Sequence, residues 1–227
     1  IAGIIEGKIQ SCKRAGKIRS LQQAIESEKL RLDIAIAHTR WATHGAPNQE
    51  NAHPHFNQDK TLALVHNGII ENHNAIREKL ERSGARFESE TDTEVIAQLI
   101  SYHYKGNLRT AVQKSLRELH GSLAIALIHK DHPDAIIAAS RESPVVLGIN
   151  PKSGEAYLSS DANSFNGKSL DVVYLKDDEV GVLEHNLHWG LSPRCPPFSR
   201  GELALDVHVK LLCRRPHVLT AGPLRLL

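Results

Sequence analysis

Methionine is absent from this chain of 227 residues, which begins with Ile1. A protein translated from its own start codon begins with methionine, so we expect the sequence to be a piece of a longer protein. Its first five residues, Ile-Ala-Gly-Ile-Ile, agree with this expectation because they have the apolar character of the middle of a β-strand.

Long apolar runs and paired cysteines are also lacking. No stretch approaches the roughly 20 apolar residues that cross a bilayer, and no signal-peptide pattern opens the chain. The three cysteines, at positions 12, 195 and 213, form no C-x-x-C pair and no even set, which favours a reducing compartment. We therefore expect a cytoplasmic protein without a membrane partner.

Charge and proline are unevenly distributed and divide the chain in two. Residues 187–227 carry six basic and two acidic residues and hold five of the ten prolines, with no sustained period of 2 or 3.6. We expect a domain over residues 1–186 and a foreign, frame-shifted or disordered tail over 187–227. Because the basic excess belongs to this tail, the net charge of +2 does not indicate a nucleic-acid partner.

The body of the chain alternates between helix and strand patterns, which predicts an α+β fold. Helices are expected over 72–82, from the capping-box sequence Thr-Asp-Thr-Glu at 91–94 onward, and over 108–119. Strands are expected at 61–66, 123–129, 134–139, 144–148, 156–160 and 172–175. The short spacing between 123–129 and 134–139 favours an antiparallel hairpin over repeated βαβ units.

The run His-Thr-Arg-Trp-Ala-Thr-His-Gly at 38–45 follows a strand-like segment at 34–37. Side chains at a strand end project from a rigid scaffold, and Arg40 in that position offers a planar fork that holds a carboxylate bidentately. Taken alone, the run is equally consistent with ordinary surface residues at the end of a strand.

Two further motifs would complete such a site. Asn67 and Gly68, at the predicted end of strand 61–66, would point an amide and a backbone N–H at one spot, which suits a developing oxyanion. Asn-Gly is also a common plain turn. Asp92 would bind an ammonium group, or serve only as a helix cap. Together Arg40 and Asp92 would hold both ends of an α-amino acid.

Histidine is frequent, with 14 residues, and the sequence Asn-Ala-His-Pro-His at 51–55 places two of them one residue apart. A His-x-His pair chelates a metal when it lies on a regular strand. Pro54 disfavours a regular strand between His53 and His55, and no obvious carboxylate completes a ligand set. A histidine-rich metal hydrolase is therefore only a minor alternative.

Four motifs, in this order and at these intervals, carry a family resemblance: HTRWATHG, NAHPH, HNGIIEN and SETDTE. They resemble the glutaminase domain of isomerising glucosamine-6-phosphate synthases, which is a class II glutamine amidotransferase domain. The resemblance extends from about residue 3 to residue 186. It implies an α+β fold of the N-terminal-nucleophile (Ntn) hydrolase type, a four-layer αββα sandwich. The first strand and helix of that fold would be missing from this chain.

The resemblance also implies how L-glutamine would be held. Arg40 would bind its α-carboxylate and Asp92 its α-ammonium group. Asn67 and Gly68 would form the oxyanion hole for the side-chain amide. These implied roles agree with the chemistry expected of each residue type.

Three more residues are implied in the glutamine pocket or at its exit. Thr43 and His44 would line the pocket, and Trp41 would lie where ammonia passes toward the sugar site. The implied reaction splits the glutamine amide through a thioester and passes ammonia to a sugar phosphate isomerase domain, which makes glucosamine 6-phosphate from fructose 6-phosphate. That second domain is absent from this sequence, and no metal or organic cofactor is expected.

The chain departs from the family at the nucleophile. The family uses an N-terminal cysteine whose own α-amino group is the base, whereas residue 1 here is Ile1 and Cys12 lies inside the chain. We therefore expect an enzyme by family whose present chain is inactive as a glutaminase. The alternative is a non-catalytic glutamine-binding module, because Arg40 and Asp92 are compatible with both.

Overall fold

The computed structural model of the chain describes residues 1–28, 30, 32, 34–40, 48–150, 155–168, 170–185 and 208–211. Within these residues the strands are β1 (Ala2–Ile5), β2 (Lys8–Ser11), β3 (Ala35–Ile36), β4 (His55–Phe56), β5 (Leu62–Ile70), β6 (Gly121–His129), β7 (His132–Arg141), β8 (Val146–Ile149), β9 (Ala156–Ser159), β10 (Asp171–Tyr174), β11 (Val180–His185) and β12 (His208–Leu211). The α-helices are α1 (Ile18–Ser27), α2 (His73–Arg82), α3 (Asp92–His103) and α4 (Leu108–Glu118).

The largest sheet has the strand order β12-β11-β7-β6-β5-β4. Its longest antiparallel pairing is β5–β6, in register from Leu62 opposite His129 to Ile70 opposite Gly121. One face of this pair packs against α2, α3 and α4 in the largest apolar cluster of the described chain. Fully burying each large aliphatic side chain there contributes about 1.5–3 kcal/mol, so this layer anchors the fold.

The other face of the large sheet is covered by two smaller sheets, β2-β1-β3 and β10-β8-β9. The first buries Ala2, Ile34 and Ile36 against β5 and β6. The second buries Leu147 with Ala138 and Leu183 of the large sheet. Helix α1 packs on the outside of the first small sheet through an apolar cluster of its own. The layers are therefore helix, sheet, sheet, helix, and the predicted αββα sandwich is confirmed.

The predicted helices and the antiparallel hairpin formed by β6 and β7 are confirmed. The strand predicted at 61–66 is wrong at its end, because β5 continues through Asn67 and Gly68 to Ile70. Helix α1 was not anticipated.

Residues 187–227 lie outside the described residues except for His208–Leu211, which pair in parallel with β11. The division into a domain and a tail stays a prediction. In the described part of the chain, no helix combines the length and apolar character needed to cross a membrane.

Candidate functional site

The end of β5 presents Asn67 and Gly68 at the surface of the large sheet. Gly68 has a φ of +132°, and a Cβ atom there would collide with the backbone carbonyl of Ser122 on the neighbouring strand β6. Only glycine combines this dihedral angle with such close pairing. The strand therefore passes through the Asn-Gly pair without turning, and it holds both residues at fixed positions in the sheet.

The start of α3 places Asp92 beside this strand end. Thr91 caps the helix, with its side-chain oxygen accepting from the backbone N–H of Glu94. Asp92 is buried, and its Oδ2 accepts from the backbone N–H of Ile70 at 2.9 Å. This bond fastens the first turn of α3 to the end of β5, so the position of the carboxylate is set by two secondary-structure elements.

Glu94 anchors the loop before α3. Its carboxylate accepts from the backbone N–H groups of Glu88 and Ser89, at 2.8 and 2.6 Å, and from the Ser89 hydroxyl at 2.6 Å. Asn51 supports the same loop by exchanging hydrogen bonds with Glu90. Because the buried carboxylate of Glu94 accepts three hydrogen bonds, it holds the residues that precede Asp92 firmly in place.

The chain beyond β3 brings His38, Thr39 and Arg40 to the opposite side of the same strand end. Nε2 of His38 lies 2.7 Å from Oδ1 of Asn67. The His38 ring stacks on the ring of His53, with centroids 4.1 Å apart. The stacking joins the motif at 38–45 to the motif at 51–55, and the hydrogen bond joins it to the motif at 66–72.

The histidines near the site are held by hydroxyl groups. Nε2 of His53 and Nδ1 of His66 both lie 3.1 Å from the hydroxyl of Thr93. His55 is bracketed by the hydroxyls of Ser89 and Thr91. Burial, with like charge nearby, holds the pKa of His53 well below its usual value and lowers that of His55 to about 3. The rings of His53 and His55 are therefore neutral near pH 7.

No cluster of three or more metal-binding side chains occurs within the described part of the chain. His53 and His55 each direct a ring nitrogen at a hydroxyl group instead. The two rings are also arranged edge to face, with centroids 4.9 Å apart, rather than converging on one point. Through these hydrogen bonds to Thr93 and Thr91, His53 and His55 support the start of α3.

These elements line a cavity of about 210 Å³, called here the central cavity. It is lined by His38, Thr39, Arg40, His53, His66, Asn67, Gly68, Thr91, Asp92 and Thr93. Four of the residues predicted from sequence, Arg40, Asn67, Gly68 and Asp92, therefore meet in one place. A guanidinium, a fixed carboxylate and an amide beside a glycine can bind a small zwitterion that carries a carbonyl group.

Three predicted pocket residues, Trp41, Thr43 and His44, lie outside the described residues. The structure adds six lining residues that the sequence interpretation did not place in a glutamine site: His38, Thr39, His53, His66, Thr91 and Thr93. Four of these directly precede Arg40 or flank Asp92, so their positions in the motifs were an available signal. His53 and His66 lie in the motifs at 51–55 and 66–72, and His66 directly precedes Asn67, but the sequence does not show that both rings contact the hydroxyl of Thr93.

A larger cavity of about 780 Å³ adjoins the central cavity and shares His38, Thr39, Arg40 and His53 with it. Cys12, the one cysteine among the described residues, lines this larger cavity. Burial raises the pKa of its thiol. A raised pKa lowers the thiolate fraction near pH 7, so Cys12 is a poor nucleophile.

Comparison with known proteins gives a consistent result. Residues 38–166 match the model of the glutamine amidotransferase domain family. The chain is 41% identical over 183 residues to the glutamine–fructose-6-phosphate aminotransferase (isomerizing) of Clostridium acetobutylicum, covering 81% of this chain and 30% of that protein. It is 49% identical over 173 residues to the enzyme of the same name from Thermotoga maritima, covering 75% of this chain and 28% of that protein. The chain thus spans about 30% of the length of these curated relatives.

Solved structures resemble the fold as well. The glutamine phosphoribosylpyrophosphate amidotransferase of B. subtilis superimposes with a TM-score of 0.68 and 26% identity, over 81% of this chain and 40% of that one. An allosteric regulatory enzyme of purine biosynthesis gives a TM-score of 0.55 and 28% identity, over 65% of this chain and 32% of that one. The architecture is accordingly that of the Ntn-hydrolase-type amidotransferases.

Proposed function

Because this chain belongs to the glutamine amidotransferase domain family, whose model matches residues 38–166, we propose that the central cavity binds L-glutamine. One observation carries the proposal: Arg40 and the buried carboxylate of Asp92 line the same cavity as Asn67 and Gly68. These groups complement the α-carboxylate, the α-ammonium group and the side-chain amide of glutamine.

Arg40 binds the α-carboxylate through its planar, permanently charged fork. Asp92 binds the α-ammonium group with its carboxylate, which is already oriented by the Ile70 N–H. A carboxylate fixed in this way loses little conformational freedom when the ligand arrives, and this lowers the cost of binding. Thr43 and His44 complete the pocket in this proposal, and Trp41 marks the exit for ammonia.

Asn67 and Gly68 form the oxyanion hole for the glutamine amide. The Asn67 side chain is exposed, and it lines the cavity together with Gly68. An amide donor and a backbone donor directed at one oxygen stabilise the charge that develops when the carbonyl is attacked. Sheet pairing holds both residues in place before any ligand binds.

In the protein that carries this domain, ammonia from glutamine serves to make glucosamine 6-phosphate from fructose 6-phosphate on a sugar phosphate isomerase domain, and the setting is cytoplasmic. The names of the relatives from C. acetobutylicum and T. maritima support the part of this proposal that concerns glutamine, fructose 6-phosphate and isomerisation. The buried thiol of Cys12 does not replace the family nucleophile. Cys12 therefore takes no part in hydrolysis, and the central cavity supplies the groups that bind glutamine and polarise its amide.

Calorimetric titration with L-glutamine tests the proposal. Arg40→Lys removes the bidentate fork while keeping the charge. Asp92→Asn removes the charge while keeping an oxygen that accepts from the Ile70 N–H. Each variant is expected to bind glutamine about tenfold or more weakly, since a hydrogen bond to a charged group contributes about 1.5–3 kcal/mol.

The matched control is Arg82→Lys, which makes the same change on the exposed surface of α2. There the guanidinium donates a hydrogen bond to the backbone carbonyl of Glu78, and Arg82 does not line the central cavity. It is expected to bind glutamine like the parent chain. A parent chain that binds no glutamine, or variants at Arg40 and Asp92 that bind it unchanged, would rule the proposal out.

A further inference from the structure

The side-chain amide of Asn67 has two ends with opposite hydrogen-bonding character. Its Oδ1 accepts, and its Nδ2 carries two N–H donors. The structure directs Oδ1 at Nε2 of His38, 2.7 Å away. Since the amide is planar, this contact turns Nδ2 away from the imidazole ring, and Asn67 lines the central cavity.

The protonation of the His38 ring decides which end of the amide is held. A ring with a proton on Nε2 donates to Oδ1 and leaves the N–H donors for the cavity. A neutral ring with its proton on Nδ1 instead accepts from Nδ2, and the amide rotates to present Oδ1 to the cavity. The first arrangement attracts a carbonyl oxygen, whereas the second repels it.

The surroundings of His38 fix the ring in one place. It stacks on His53, whose own Nε2 lies 3.1 Å from the Thr93 hydroxyl in the first turn of α3. Burial lowers the pKa of His38, so the ring is neutral near pH 7 and its tautomer matters. The ring therefore acts as a rigid support between the helix and Asn67.

We propose that His38 is a positioning residue, which donates from Nε2 to Asn67 and so directs the Asn67 donors at a carbonyl oxygen on the side chain of the ligand. The inference rests on the proposed function, because it assigns the basis of selectivity within the same glutamine site. It predicts that His38 governs recognition of the side-chain carbonyl and leaves recognition of the α-amino and α-carboxylate groups unchanged.

The experiment compares two ligands and two substitutions on the full chain. L-Glutamine offers the side-chain carbonyl, and L-norvaline offers the same α-groups on an apolar side chain. His38→Leu removes the donor, while His38→Gln restores an N–H close to the position of Nε2. His129→Leu is the control, because it makes the same change at a histidine of the sandwich that does not line the central cavity.

His38→Leu is expected to lower the affinity for glutamine about tenfold, the effect of one hydrogen bond, and to leave norvaline binding unchanged. His38→Gln is expected to keep glutamine affinity within about threefold of the parent, and His129→Leu to leave the ratio of the two affinities unaltered. An equal loss for both ligands, or no loss for either, would overturn the assignment.

Nitrogen-15 NMR of the parent chain gives a second test that needs neither folding of a variant nor ligand binding. The proposal requires the proton of neutral His38 on Nε2, with Nδ1 unprotonated. A proton on Nδ1 would overturn it. If the parent binds neither amino acid while Nε2 is protonated, the proposed glutamine site fails but the positioning of Asn67 by His38 stands.

Discussion

Gly68 shows how a single residue shapes the candidate site. Replacing it with alanine would place a side chain at a φ of +132° and drive its Cβ into the Ser122 carbonyl. The left-handed dihedral angle alone costs a non-glycine residue about 1–2 kcal/mol, and the collision adds to it. We expect Gly68→Ala to lower the free energy of unfolding by at least about 2 kcal/mol, measured by urea denaturation.

Gly84 provides the control for that measurement. It also has a positive φ, +94°, but an added Cβ would meet no atom within 4 Å. Gly84→Ala therefore carries the conformational cost without the collision. Equal losses of stability in the two variants would show that the contact with Ser122 is unimportant.

Helix boundaries were readable from the sequence, whereas the length of β5 was not. The capping box at Thr91 is a local pattern, and Thr91 does accept from the Glu94 N–H. The Asn-Gly pair also has a strong local preference, but for a turn. Pairing of all nine β5 residues with β6 overrides that preference, and such pairing depends on a strand more than 50 residues away. Helix α1 is short and amphipathic, and only its packing on the small sheet identifies it.

Glu94 makes the start of α3 a rigid element, which can be tested by Glu94→Gln. The substitution keeps the size of the side chain but turns one carboxylate oxygen into an NH2 group, which cannot accept either from the Glu88 N–H or from the two Ser89 donors. Hydrogen bonds to charged groups contribute about 1.5–3 kcal/mol, so we expect a loss of about 2 kcal/mol in unfolding free energy.

The comparison for this element is Glu78→Gln on the exposed face of α2. It removes the same charge where water replaces any lost contact, and a change within about 0.5 kcal/mol is expected. If both substitutions had similar effects, the anchoring of residues 88 and 89 by Glu94 would not stabilise the chain.

At the scale of the whole molecule, the candidate site forms only when the layers of the sandwich pack together. Arg40 follows a strand of a small sheet, Asn67 lies in the large sheet, and Asp92 begins a helix on its far side. Residue chemistry paired Arg40 with Asp92 as groups that would hold both ends of an amino acid, and the family resemblance named glutamine as the ligand. Spacing alone did not place them together, because three layers must pack before they share a cavity.

The same packing buries several histidines and predicts that the molecule unfolds in mild acid. Burial lowers the pKa of His55 to about 3 and of His129 to about 4, and holds that of His53 well below the usual value. An unfolded chain takes up these protons near pH 6.5. Below that pH the unfolded state binds more protons than the folded state, so stability falls as the pH falls.

Each such histidine adds about 1.4 kcal/mol per pH unit to the slope of the unfolding free energy against pH. The three together give a slope of up to about 4 kcal/mol per unit between pH 5.5 and the folded pKa values. Urea denaturation at a series of pH values measures this slope. His55→Gln removes one titrating group and should reduce the slope by roughly a third, whatever its effect on stability at pH 7.5. Asn74→Gln, at an exposed position of α2, removes no titrating group and should leave it unchanged. A flat profile from pH 7.5 to 4.5 would mean that the histidines between the layers are not held neutral by packing.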